Sequence, residues 1–341
     1  MMYEERNINK PLVYRIGDSS PALLRQVGFH TKKEKPAIGI YTGKVQYINT
    51  GSRFRKTDYE ECQNFQRMNH FPKTSIITKK DTLVRLLRTM KFLYGPVYDF
   101  FPLSFSVPIE FKKYMRYIQQ EQEQGDKSVW ICKPADLSRG RGIFVFRELH
   151  ELAYDCNAVV QKYIDNPLLI SGYKFDEPYS LNNLGNVFSH LTNTSINKLS
   201  PSLNQEKDDV GPGCKWNFAK LKEHLSGRDI DWDKIWERIK ALVILTLLPV
   251  AQEVPPQPQG CFELYGFDFI IDTDVKTWIL EINLSPALSV DTEVDLSVKR
   301  PLLLDMMLLL DVAADDGDLA YEFKKQLDKS NIKPKRQSNS C

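Results

Sequence analysis

Strand-forming and helix-forming runs alternate along this chain, and that alternation predicts an α/β or α+β protein. Three observations carry the prediction. Short β-rich runs occur at Val129–Lys133, Ile143–Phe146 and Ala158–Ile164. Helical periodicity marks Asp81–Tyr94 and a long apolar run, Ile230–Val250. A hairpin pattern, two β-rich runs around a short polar turn, spans Phe262–Asn283. No repeat of solenoid period is present.

The 341 residues are enough for a sizeable core and for two or three compact units. At 26% charged and 42% hydrophobic residues, the composition is that of an ordinary globular protein. No apolar stretch is long enough to cross a bilayer, and Met1–Lys10 has no signal-peptide core, so no membrane partner is expected. The six cysteines (Cys62, Cys132, Cys156, Cys214, Cys261 and Cys341) form no CxxC pair and no Cys/His cluster with zinc spacing. A reducing, cytoplasmic or cytoskeletal setting follows.

Taken in order, the first region, residues 1–120, opens on the apolar run Pro11–Ile16. In the helix over Asp81–Tyr94, the side chains Leu83, Leu86, Leu87, Met90 and Tyr94 form one face, with Arg85, Arg88 and Lys91 opposite. Asp81, after Lys79-Lys80, serves as N-cap or first-turn acid. The polar run Gln119–Asp126 reads as a helix end and loop that closes the region. The central region, residues 121–185, carries the three strands. The third, residues 186–320, carries the long helix, a break at Pro255-Pro256 and Pro258, the hairpin, and a second apolar helix over Pro301–Val312. The tail, residues 321–341, with Lys333-Pro-Lys-Arg336, has the composition of a disordered segment. Residues 1–130 hold 22 Lys+Arg against 13 Asp+Glu, a net +9 in a chain whose total is +2. A basic front half suggests an acidic macromolecular partner, nucleic acid or acidic peptide; the alternative is a solvated basic surface.

The hairpin carries the sharpest chemical signal. A four-residue loop, Thr273–Lys276, would pair Asp272 with Thr277 and set Asp268 opposite Glu281, with Asn283 on the same face. Like charges directly opposed destabilise a sheet by about 0.2–1 kcal/mol. The neighbours Phe267, Phe269, Leu280 and Ile282 make the surroundings drier and the conflict worse. A hard divalent cation resolves it, and an all-oxygen donor set suits Mg²⁺ bridging to phosphates. The alternative is an ordinary solvent-facing hairpin in which lysines pair the two acids.

Lys133 ends a strand, and Ser138-Arg-Gly-Arg-Gly-Ile143 leads straight into the next. Glycines let backbone approach phosphate oxygens and arginines add charge. No Gly-Lys-Ser/Thr follows, GxGxxG is absent and neither HRD nor DFG occurs, which excludes a Walker A loop, a dinucleotide fingerprint and a protein kinase. A flap over a nucleotide remains, beside the simpler reading of a glycine-containing hairpin turn. The run Val159–Ile164 reads as a core strand whose polar end, Gln161-Lys162, also suits an adenine-binding edge. The polar segments His190–Asn193 and Ser195–Lys198 are consistent with capping alone, and the five histidines, lacking metal spacing, read as structural.

Taken together and in order, these motifs resemble the tubulin tyrosine ligase-like family, on its glutamylase branch. The match is carried by Trp130–Val145, Val160–Ile164, Gly172–Asp176, His190–Asn193, Ser195–Lys198, Cys261–Asp268 and Leu280–Pro286, with Asn69–Pro72 and Thr78–Asp81 upstream. The resemblance runs from about Pro11 to Leu310 and implies an ATP-grasp fold, two subdomains clamping ATP. It implies that Lys133, Arg139 and Gly140 contact phosphates, and that Gln161, Lys162, Tyr163 and Ile164 frame adenine. Lys174, Phe175, Asp176, Thr192 and Asn193 would also contact nucleotide. Thr194, Ser195, Lys215 and Lys299 would hold substrate, with Arg139 and Lys215 in catalytic positions. Asp268, Glu281 and Asn283 match its magnesium ligands. The implied reaction phosphorylates the γ-carboxylate of a tubulin-tail glutamate with ATP; free L-glutamate then attacks the acylphosphate through its amine, giving an isopeptide bond. ATP and Mg²⁺ are the implied cofactors. Tubulin C-terminal tails and microtubules are the implied partners of a cytoskeletal or ciliary monomer, with no nucleic acid.

One departure stands out. After Gly172–Asp176 the family continues with a DLR motif and two strands bearing substrate-binding arginines. Here Asp176 is followed at once by Glu177-Pro-Tyr-Ser-Leu-Asn-Asn183, which resembles the far end of that segment. The junction reads as an internal deletion, and with it comes a second expectation: a catalytically impaired tubulin- or nucleotide-binding module.

Overall fold

An antiparallel sheet organises the centre of the chain, and its two faces carry different kinds of residue. The computed structural model describes residues 13–16, 30–31, 47–50, 56–60, 67–138, 140–153, 156–174, 177–197, 199–202, 215–252, 254 and 261–309. In chain order the strands are β1 (Val13–Ile16), β2 (His30–Thr31), β3 (Tyr47–Thr50), β4 (Arg67–Met68), β5 (Ser104–Val107), β6 (Trp130–Pro134), β7 (Phe144–Phe146), β8 (Ala158–Lys162), β9 (Gly266–Ile271) and β10 (Thr277–Asn283). The helices are α1 (Lys56–Glu60), α2 (Lys80–Tyr94), α3 (Phe111–Glu123), α4 (Val187–His190), α5 (Thr194–Asn197), α6 (Phe218–Ser226), α7 (Trp232–Ala251) and α8 (Glu293–Leu309). The chain is a mixed α/β protein in two compact units, one formed by Pro72–Pro255 with Tyr265–Pro286, the other by the remaining segments.

In the larger unit the sheet runs β5-β8-β6-β7, every neighbour antiparallel. Alternation divides its residues. Phe105, Val107, Trp130, Cys132, Phe146, Ala158 and Val160 are buried together under α3, where Tyr114 meets Trp130 edge-on at 5.0 Å. The other parity turns Lys133, Val159 and Gln161 toward a cavity. A second core joins α2, α7 and the hairpin through Leu83, Leu87, Tyr98, Leu242, Val250, Ile279 and Ile282. Tyr98 Oη donates to the Leu245 carbonyl at 3.0 Å, which ties the end of α2 to α7.

The smaller unit holds a parallel sheet in the order β2-β1-β3-β4. Cys261 bridges to Met68 in parallel, and the Phe262 N–H donates to the Met68 carbonyl at 2.8 Å. The Glu263 carboxylate accepts from His70 Nδ1 and, at 3.0 Å, from the Phe71 N–H.

Two elements differ from the sequence reading, and one choice it left open is settled. Of the two places open to Asp81 the structure takes the first turn of α2: Lys79 stands at the N-cap position without a side-chain cap bond, and the Asp81 carboxylate lies 3.8 Å from Arg85. Helix α8 begins eight residues before Pro301. Thr292 and Asp295 cap each other: Thr292 Oγ1 accepts the Asp295 N–H at 3.1 Å and Asp295 Oδ2 accepts the Thr292 N–H at 3.1 Å. Pro301, where the apolar run begins, lies inside the helix and not at its start. The hairpin closes with one more loop residue than alternation predicts: Thr277 pairs with Ile271, and a bulge between Ile279 and Glu281 restores the pairing of Asp268 with Glu281. The proline break and the basic tail lie outside the described residues.

Ile279 is fully buried where the hairpin meets α2 and α7. Ile279→Ala should cost about 2–5 kcal/mol of stability, measured by urea denaturation.

Candidate functional site

A cavity of about 260 Å³ opens beside the sheet within the larger unit, lined by residues from six places in the chain. Strands β6 and β8 contribute Lys133 and Gln161; the start of α2 contributes Lys79 and Lys80; the glycine loop contributes Ser138 and Gly140; β10 contributes Glu281 and Asn283. Asn193 completes it at the loop before α5. One wall is thus cationic and the other anionic.

Lys133 is held by its neighbour, donating from Nζ to Gln161 Oε1 at 2.7 Å, while Gln161 Nε2 donates to Ser104 Oγ at 2.9 Å. Burial pulls the Lys133 ammonium down to about 8, against the attraction of Glu281. Lys80 Nζ donates to the Leu137 carbonyl at 2.8 Å, tethering the glycine loop to α2. Gly140 takes φ +76°, and a Cβ there would lie 2.2 Å from Ile196 Cδ1 and 3.1 Å from Asn193 Oδ1. The loop approaches α5 so closely that only glycine fits without rearrangement.

Glu281 on the cavity wall faces Asp268 across the hairpin; Asp268 is not itself among the lining residues, and Asn283 Nδ2 donates to Asp268 Oδ2 at 3.2 Å. Asp268 reaches solvent at the rim, yet the protein packed around it, and then the Glu281 carboxylate, push its pKa up to about 7. Two carboxylates and an amide crowd one point with more negative charge than the local structure neutralises. That donor chemistry fits a hard divalent cation. Among the described residues no group of three or more His, Cys, Asp or Glu could hold a metal.

The remaining expected residues are placed elsewhere. Lys162 follows Gln161 on β8 and so points to the other face, where Nζ meets Glu121 at 3.2 Å. Tyr163 and Ile164 do not line the cavity. Tyr163 Oη contacts His190 Nδ1 at 3.0 Å and accepts from Lys174 Nζ at 2.8 Å. Burial and the nearby Lys133 bring the Lys174 ammonium down to about 7. Thr192 and Ser195 are exposed, and neither they nor Lys215 lines the cavity, while the Thr194 side chain lies outside what the structure describes. Lys299 belongs to the smaller unit, where it donates to the Ser289 carbonyl at 2.6 Å and pairs with Asp295 at 2.9 Å. Arg139, Phe175 and Asp176 lie outside the described residues. The sequence reading missed Lys79 and Lys80 as site residues; the run Thr78–Asp81 was the available signal. The cationic side of α2 is internally compensated, Arg88 by Glu110 and Lys91 by Asp99.

These residues build one cavity in a mixed α/β frame, with lysines and a glycine loop on one side and Glu281 and Asn283 on the other. The sequence matches the tubulin-tyrosine ligase family over residues 58–176 and 177–318. The chain belongs to that family. It is 39% identical to the human "probable tubulin polyglutamylase TTLL2" over 88% of this chain and 56% of the relative, and 39% identical to the mouse protein of that name over 88% and 61%. The human "tubulin polyglutamylase TTLL5" is 28% identical over 89% of this chain and 26% of its own length. The chain therefore spans little more than half the length of the two relatives of the first name. The alignment with the third runs to 352 positions, more than the 341 residues of this chain, so that relative carries residues absent here. The two family segments meet between Asp176 and Glu177.

The crowded carboxylates make a pH prediction. A proton held up to about pH 7 in the folded state leaves the unfolded chain near the ordinary 3.8. Its contribution to stability is therefore complete below the unfolded value and is lost as pH rises through the folded one. In metal-free protein Glu281→Gln should flatten this decline, seen as a smaller difference between urea midpoints at about pH 5 and about pH 7.5 than in the parent chain.

Proposed function

We propose that this chain is an ATP-dependent ligase of ATP-grasp type that joins glutamate to the γ-carboxylate of glutamates in tubulin C-terminal tails. One observation carries the reading: a single cavity sets Lys79, Lys80 and Lys133 against Glu281 and Asn283, with the glycine loop between. Polyphosphate needs cations along its oxygens and a metal clamp at its end, and this cavity offers both kinds of wall. Asp268, Glu281 and Asn283 would hold Mg²⁺, which when bound supplies Lewis-acid stabilisation of phosphoryl charge. Lys133 stays mostly protonated at neutral pH, and an anionic group beside it strengthens that state. Lys80 holds the glycine loop, and Gln161 holds the Lys133 ammonium, so the cationic wall is preorganised. The relatives named as tubulin polyglutamylases supply the substrate class, and the net +9 of residues 1–130 suits an acidic tail. A substrate in tubulin tails implies work at the cytoskeleton.

Asp268→Asn combined with Glu281→Gln should abolish magnesium-dependent ATP binding while leaving thermal unfolding cooperative. Unchanged binding by calorimetry would remove the metal assignment.

A second reading is favoured by the junction at Asp176–Glu177 and by the surplus positions in the relatives. The absent segment would carry strands and arginines that grip the incoming glutamate, and this chain would then be a binding module with impaired catalysis. Losing one charge-assisted contact costs about 1.5–3 kcal/mol, or roughly ten- to hundredfold in glutamate binding. Incorporation of labelled glutamate into tubulin, compared at matched folded concentration, should be far slower for this chain than for a version with the segment restored. Equal rates would show that the segment is dispensable.

A further inference from the structure

The hairpin that carries Asp268, Glu281 and Asn283 has two registers open to it, and the structure selects the less regular one. With a four-residue loop, Asp272 pairs with Thr277 and the ladder runs unbroken to Asp268–Glu281. Trp278, Leu280 and Ile282 then share the face of Phe267 and Phe269. In the structure Thr277, Trp278 and Ile279 pair with Ile271, Ile270 and Phe269, and the ladder skips Leu280 before Glu281 meets Asp268. Ile279 takes the core position, its N–H donating to the Phe100 carbonyl at 2.9 Å, and Leu280 is left on the cavity wall beside Glu281. Both registers end on the same carboxylate pair; they differ in what stands next to it. A one-residue slip exchanges the faces of Trp278, Ile279 and Leu280.

We infer that Asp272 is a positioning residue that holds the bulged register and so shapes the cavity wall at Leu280–Glu281. Its side chain is buried, 4% exposed, and both oxygens are occupied. Oδ1 accepts the N–H groups of Asp274 at 3.0 Å and Lys276 at 2.8 Å, which fixes the five-residue loop. Oδ2 accepts Trp278 Nε1–H at 2.9 Å. That last bond exists in one register only. Opposite Ile270, Trp278 lies on the face of Asp272; opposite Ile271, it would lie on the other. Lys276 reinforces the choice, its Nζ lying 3.7 Å from the Trp278 ring centroid and 2.8 Å from Asp99 Oδ2. A bulge beside a site, used to aim a side chain, is what such a clamp maintains.

The inference rests on the proposed metal and nucleotide role of the hairpin, but its test has a reading free of both. Asp272→Asn puts an amide N–H against either the loop N–H groups or the Trp278 indole; Trp278→Phe keeps the ring and removes one donor. Backbone hydrogen exchange over Trp278–Leu280 in metal-free full-length protein reports the register directly. Mn²⁺ affinity in the presence of ATP, followed by electron paramagnetic resonance, reports the site. Both variants should lose protection at Ile279 while keeping cooperative unfolding, and Mn²⁺ should bind about tenfold or more weakly, the scale of lost supporting contacts around metal ligands. Parent-like exchange and affinity in both variants would overturn the inference. So would global unfolding of both, since Asp272 would then hold the whole unit and not the register. If the parent chain itself binds no Mn²⁺ with ATP, the functional reading fails, and the exchange measurement still decides the role of Asp272.

Discussion

Two carboxylates forced to face one another constrain everything around them. Asp268 and Glu281 meet across a two-stranded ladder, and the pair stays ionised together only where cations or a metal offset the repulsion. The rest of the larger unit can be read as the means of keeping them there. The hairpin is anchored through Ile279 and Ile282 to the core with α2 and α7, and its loop is tied to the chain at residues 166–168. Asn166 Nδ2 donates to Thr273 Oγ1 at 3.1 Å, and the Leu168 N–H donates to the Ile271 carbonyl at 2.8 Å. A rigid mount on both sides is what a closely spaced acidic pair requires.

The cations come from another element with its own mount. Lys133 rides on β6, where the burial of Trp130 and Cys132 under α3 fixes which way its side chain turns. Because neighbouring residues of a strand alternate, packing on the α3 face decides the chemistry on the cavity face. The same rule removes Lys162 from the site and gives it to Glu121. Core and site are thus two readings of one alternation.

This explains which parts were legible in the sequence. The strands, the long helices and the facing of Asp268 and Glu281 follow from periodicity, which is local. The path of the hairpin does not: alternation alone favours the unbulged ladder, whereas the observed one comes with three bonds accepted by Asp272 that no local pattern announces. The start of α8 is less legible because the Thr292–Asp295 cap that sets the boundary is a short polar pattern, whereas the apolar run that signals the helix begins only at Pro301. Lys79 and Lys80 escaped notice as site residues because a charge pair before a helix is indistinguishable, in sequence, from a solvated surface. Their role depends on where Leu137 and Glu281 arrive from distant parts of the chain.

The junction between Asp176 and Glu177 has a further physical consequence at Lys174. The segment after the junction packs Tyr179 and Leu181 against the core that holds Tyr163, and Tyr179 meets the His190 ring at 5.4 Å. Lys174 is drawn into the same cluster, its Nζ 4.4 Å from the Tyr163 ring centroid, 5.9 Å from that of Tyr179, and bonded to the Tyr163 hydroxyl. Aromatic faces stabilise an ammonium less well than a carboxylate or phosphate does. Burial and the proximity of Lys133 leave it with a pKa of about 7, so near neutrality its charge is only partly present. The residue that the family resemblance assigns to the nucleotide is therefore, in this chain, among the weakest cations near the site. It is held by an aromatic cluster to which the sequence beyond the junction contributes. Lys174 does not line the cavity, whereas Lys133 and Lys80 do. The charge of Lys174 is thus set by side chains from both sides of the junction, through contacts that neither family segment defines alone.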